Sequence, residues 1–154
     1  MSKNEKGRNV LVTLSGAGKN DRGEMDDAVR LMTTGELTPA LGGYMLRYQE
    51  SQTDEGDGTV MTQDILLMMQ PGRVSMTRLG AFGTTMVFVK DSRFEGVYHT
   101  PYGDMDMALY PTQVNVNLGP DKGSVFLEYQ LDMQGGFVSM HTLQLEYVAS
   151  DAAC

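Results

Sequence analysis

The chain has very little cysteine, histidine or basic charge, and it has no long apolar run. Among 154 residues the only cysteine is Cys154, so no intramolecular disulfide can form. A reducing compartment, the cytoplasm, is the expectation that follows. No stretch approaches the ~18 consecutive apolar residues of a membrane helix. The opening "MSKNEKGRN" is charged with no apolar segment behind it, so no secretory signal is expected. Twelve bases against twenty acids give a net charge of −8. Such a surface repels phosphate backbones and anionic lipids, and neither nucleic acid nor membrane is expected as a partner. The acids gather in turn-like stretches, "KNDRGEMDD" and "SQTDEGDG", where solubility accounts for them.

Several kinds of chemistry lose their basis for want of residues. His99 and His141 are the only histidines and lie far apart in sequence, so no metal-ligand spacing exists and no cofactor is expected. Met105 and Met107 near His99 have the softness copper would want, but they alternate as core residues of a strand do. "SGAGKND" fails as a phosphate loop, because Lys19 precedes Asn20 rather than Ser or Thr. No G-x-S-x-G is present to suggest a hydrolytic serine.

Period-two alternation takes the place of helical periodicity. Apolar and polar residues alternate through eleven short runs, from "NVLVTLS" to "FVSMHTLQLEYV", separated by links such as "PG", "DS", "PYG" and "QGG". Short links join antiparallel neighbours, so order along the chain predicts order in space. The expected fold is all-β: one domain over 1–154, an up-and-down antiparallel barrel of about eight to ten strands. Residues 1–8 read as a flexible lead-in and 149–154 as a tail. Pro111 cannot donate to a ladder and should mark a bulge between two runs.

Turn chemistry then sets which side chains share a face. With Pro71 and Gly72 as a two-residue loop, Met69 faces Val74, Leu67 faces Met76 and Ile65 faces Arg78. That face is apolar except for the arginine. A three-residue loop, Gln134 to Gly136, pairs Met133 with Phe137, Tyr129 with His141 and Leu127 with Leu143. The parity of "YMLRYQE" turns Tyr44, Leu46, Tyr48 and Glu50 inward and leaves Arg47 and Gln49 outside. Around Pro101 a three-residue loop would pair His99 with Met105 and Tyr98 with Asp106, placing His99 at the rim of the interior.

The predicted interior is therefore apolar with a few polar groups: Arg78, Glu50, Tyr48, Tyr129 and His141. Buried charges must find partners. In the plainest arrangement Arg78 pairs with Glu50, while Tyr129 and His141 satisfy one another. In the functional arrangement Arg78 holds the head group of a small, partly apolar anion inside the barrel, with Tyr48, Tyr129 and His141 orienting it.

Four segments carry a family resemblance: "YQE" (48–50), "RLGAFGTTMVF" (78–88), "YHTPYG" (98–103) and "GSVFLEYQL" (123–131). Their order and spacing, anchored by Arg78 with Gly80 and Tyr98 with Gly103, resemble the small bacterial YwiB-like proteins of unknown function. The similarity spans roughly residues 44 to 148 and is loose in the N-terminal third. It implies a calycin-like barrel, lipocalin-like in shape, in cytoplasmic proteins of mainly Gram-positive bacteria. No activity comes with it, so no catalytic residue is carried over. Some calycin-like barrels perform cofactor-free decarboxylation. In that alternative Glu50 would carry the proton while Arg78 held a carboxylate. A filled interaction module without ligand is the third reading.

Overall fold

The computed structural model describes residues 7–19, 29–40, 42–53, 56, 58–79, 83–100, 103–133 and 137–150. Alternating, turn-punctuated runs become ten strands: β1 (Arg8–Lys19), β2 (Val29–Ala40), β3 (Gly43–Thr53), β4 (Val60–Gln70), β5 (Arg73–Arg78), β6 (Thr84–Val89), β7 (Phe94–Thr100), β8 (Gly103–Asn117), β9 (Lys122–Met133) and β10 (Phe137–Ala149). Every ladder is antiparallel, and the order across the sheet is β6-β5-β4-β3-β2-β1-β10-β9-β8-β7. The sheet curls into a nearly closed barrel, as the alternation predicts. Arg8, read as the end of the lead-in, and Ala149, read as the start of the tail, lie within strands.

Two hairpins have the predicted registers. Gln70 pairs with Arg73 across Pro71 and Gly72, and Gly72 takes the left-handed conformation (φ 75°) that the turn needs. Met133 pairs with Phe137, so the β9–β10 ladder resumes after three residues; the loop itself, 134–136, lies outside the described residues. The runs either side of Pro111 fuse into one long strand, β8. The register against β9 shifts between Pro111 and Gln113, the bulge a missing N–H predicts. Thr112, the extra residue, donates its hydroxyl to the Glu128 carboxylate at 2.8 Å.

Strictly sequential pairing fails at one place. β6 and β7 share no ladder beyond the isolated Val89–Ser92 bridge, although they are consecutive. Their turn bends at Asp91 (φ 63°), whose N–H donates instead to the Pro111 carbonyl at 2.9 Å. The turn is thus pinned to the β8 bulge, and the edge strands meet as a seam.

Burial fades toward one end on β5 and β9. On β5, Val74 and Met76 are buried and Arg78 only partly. On β9, Val125 and Leu127 are sealed and Tyr129 is not. Leu46, Leu67, Met69, Val74, Leu145 and Tyr147 complete the closed end. There the Tyr147 hydroxyl donates to the Gly119 carbonyl at 2.8 Å, and its ring fills the space where Gly123 has no side chain. Apolar filling plugs this end and leaves the other hollow. Among the described residues no helix is long and apolar enough to cross a membrane.

Candidate functional site

The hollow end encloses about 640 Å³, a size typical of small-molecule sites. Three sequence features make the room. On β1 the inward positions after Leu14 are Gly16 and Gly18, which contribute no bulk; a Cβ added at Gly16 would meet only the Thr142 carbonyl, at 3.4 Å. On β5 and β6, Met76, Met86 and Phe88 form an apolar wall. β3, β5, β9 and β10 each place a polar group there as burial fades: Tyr48 and Glu50, Arg78, Tyr129 and His141. Five of the six residues singled out in the sequence therefore line one cavity.

Arg78 stands in a cross-strand row, Gly35–Tyr48–Ile65–Arg78–Thr84, running over five strands. A guanidinium nitrogen lies 3.5 Å from the Glu50 carboxylate, with the side chains 30% and 23% exposed. This is a loose, solvent-touched pair rather than a sealed one. Among the described residues, two buried polar atoms in this row have no hydrogen-bond partner: Arg78 Nε and Thr84 Oγ1. Leaving a buried donor unmade costs roughly 1–3 kcal/mol; the exposed part of Arg78 that an acceptor in the cavity can reach is the rest of its guanidinium.

The phenols are held neutral. Burial pushes the Tyr48 hydroxyl well above its ordinary pKa, the Glu50 charge adds to this, and Arg78 partly opposes it. Burial raises Tyr129 too, again opposed by Arg78. Both remain protonated near neutral pH and can donate to a bound group.

An aromatic stack crosses the cavity wall. Phe88 meets Tyr129 edge-on at 4.9 Å, and Tyr129 stacks on His141 at 5.4 Å with the rings 17° apart. Parity correctly predicts that Tyr129 faces His141, but they meet ring to ring, and Nε2 of His141 lies 2.8 Å from Ser139 Oγ. Ser139 was missed, although it shares the inward parity of His141. Arg30, also missed, is an exposed cation at the rim.

The register at His99 needs correction. His99 pairs with Asp104 and Tyr98 with Met105, one residue away from the expected pairing, because only two residues separate Thr100 from Gly103. Position 99 is thus opposite an exposed aspartate, and the side chain of His99 lies outside the described residues. Asp104 and Asp106 are exposed, and Met107 is core. Among the described residues no three acidic, histidine or cysteine side chains cluster as metal ligands would.

By architecture the chain is an all-β antiparallel barrel, packed with apolar side chains at one end and opening at the other around Arg78. The chain belongs to the family described as "Domain of unknown function (DUF1934)", whose model matches residues 12–145 and so takes in the N-terminal third. The crystal structure of the YwiB protein from Bacillus subtilis superposes with a TM-score of 0.77 at 18% identity, covering 97% of this chain and 99% of that one. That likeness shows the shared fold. No curated protein matches the chain.

Proposed function

We propose that the barrel binds a small, partly apolar carboxylate, with its head group on Arg78 and its apolar part against Met76, Met86 and Phe88. One observation carries this reading: the Arg78 guanidinium lines the cavity with its side chain 30% exposed, and its ion pair with Glu50 is a long 3.5 Å contact. A carboxylate accepts from two guanidinium nitrogens at once, and Tyr48 and Tyr129 supply neutral donors nearby. Phe88, Tyr129 and His141 add aromatic surface for the rest of the ligand.

A thermal-shift series with alkyl and aryl carboxylates tests the reading. A ligand at a hundred times its Kd should stabilise the wild type by about 2.7 kcal/mol, several degrees for a domain of this size. Arg78→Met should abolish the shift at a stability cost of about 1 kcal/mol or less, since a solvent-touched pair contributes little. Gly16→Leu, which puts a bulky side chain into the cavity, should weaken it with Arg78 intact. If the loss in Arg78→Met instead reaches roughly 3–5 kcal/mol, is recovered by adding Glu50→Gln, and no carboxylate stabilises the wild type, then Arg78 serves only its ion pair.

A further inference from the structure

The geometry points to a site for weak acids: a carboxylate enters together with one proton, which it shares with Glu50, so alkyl carboxylates are held more tightly than sulfonates of equal length. This rests on the binding reading above and adds the class of acid and its control by pH.

The charges around Glu50 carry the inference. Arg78 faces it from β5 at 3.5 Å, and Tyr48 flanks it on β3. Its cross-strand partner on β4 is the uncharged Gln63; the nearby Asp64 and Arg47 pair with one another on the outer face. Arg30 of β2 lies at the exposed rim, where water and salt screen it. Tyr129 of β9 and His141 of β10 line the same cavity, the first held neutral and the second with Nε2 beside Ser139. Arg78 and Glu50 thus balance before any ligand arrives. An anion docking on Arg78 brings a second negative group beside Glu50, against a single guanidinium and within apolar walls.

Two carboxylates so close do not both stay ionised; the pair keeps one proton. The proton comes from solvent and ends between the ligand carboxyl and Glu50, with no covalent bond made or broken among heavier atoms. Carboxylic acids, whose ordinary pKa is about 4, can hold their part of it. A sulfonate, the anion of a strong acid, cannot. Because binding takes up a proton, affinity must rise as pH falls.

Isothermal titration with octanoate and heptane-1-sulfonate, which have the same seven-carbon alkyl chain, between pH 5.5 and 8, in two buffers of different ionisation enthalpy, tests this. The wild type should take up about one proton per octanoate, losing about tenfold in affinity per pH unit. It should bind the sulfonate at least about tenfold more weakly at pH 6, the equivalent of one unit of that slope. In Glu50→Gln the pH slope should vanish and the sulfonate should bind as well as octanoate. Octanoate binding without proton uptake, or a slope that persists in Glu50→Gln, would overturn the proton-sharing inference and leave the Arg78 site standing. Failure of both ligands on both proteins at every pH would overturn the binding reading as well.

Discussion

Leu67→Ala is expected to lower the free energy of unfolding by roughly 2–5 kcal/mol, the range for deleting a large aliphatic side chain from a sealed core. Leu67 is fully buried on β4, opposite Leu46 on one side and Met76 on the other, at the plugged end of the barrel. Its neighbours belong to laddered strands and cannot collapse into the void without breaking register. The lost transfer energy and the cavity therefore both count. Guanidinium denaturation of the variant beside Val60→Ala provides the check. Val60 lies on the same strand at 61% exposure, and its truncation should stay within about 0.5 kcal/mol. Equal losses in the two variants would mean that the closed end is not packed as described.

Gly43→Ala should cost about 3 kcal/mol, near the upper end for overpacking. A Cβ on Gly43 would overlap the Met69 carbonyl and reach within 3.2 Å of the Gln70 Cα. Both obstacles are backbone, so no rotamer change can relieve them, and the β3–β4 ladder has to move at Tyr44 and Met69. Gly42→Ala separates crowding from backbone conformation. Gly42 has open space around its Cβ position but a φ of 72°, so its penalty should be the left-handed cost alone, about 1–2 kcal/mol. Urea melts of the two variants should rank Gly43→Ala as the more damaging.

The features legible in the sequence were those set by local chemistry. Pro71-Gly72 admits one short turn, and that turn orders a whole row from Met69 and Val74 to Ile65 and Arg78. The parity of "YMLRYQE" brings Tyr48 and Glu50 to the same interior without long-range information. Around Pro101 local chemistry is ambiguous: a two-residue and a three-residue link both suit a proline with a glycine two residues on, and one residue moves His99 from Met105 to Asp104. Parity also says which rings face each other but not how they rotate, so the stacking of Tyr129 on His141 and the contact of His141 with Ser139 were hidden. The hollow itself depends on several strands at once. Gly16 and Gly18 look like loop residues until β1 is placed opposite β10, where they become missing volume. The seam was equally illegible, since it depends on Asp91 reaching Pro111 twenty residues along the chain.

That seam has a consequence for how the chain folds. β1 and β10 pair in the middle of the sheet, with Val10 opposite Ala149 and the Ser150 N–H on the Asn9 carbonyl at 3.1 Å, while the free edges belong to β6 and β7, neighbours in sequence. The native connectivity must therefore close a loop of nearly the whole chain before the β1–β10 ladder can form, an entropic delay that raises contact order. Linking residue 9 to residue 150 and cutting within 90–93 would rewrite the order as β7-β8-β9-β10-β1-β2-β3-β4-β5-β6, in which every ladder joins consecutive strands. Such a permutant should refold faster than the native chain in stopped-flow measurements and unfold more readily, because the cut releases the Asp91–Pro111 anchor. The seam is thus the place where the barrel can be opened into a run of nearest-neighbour hairpins.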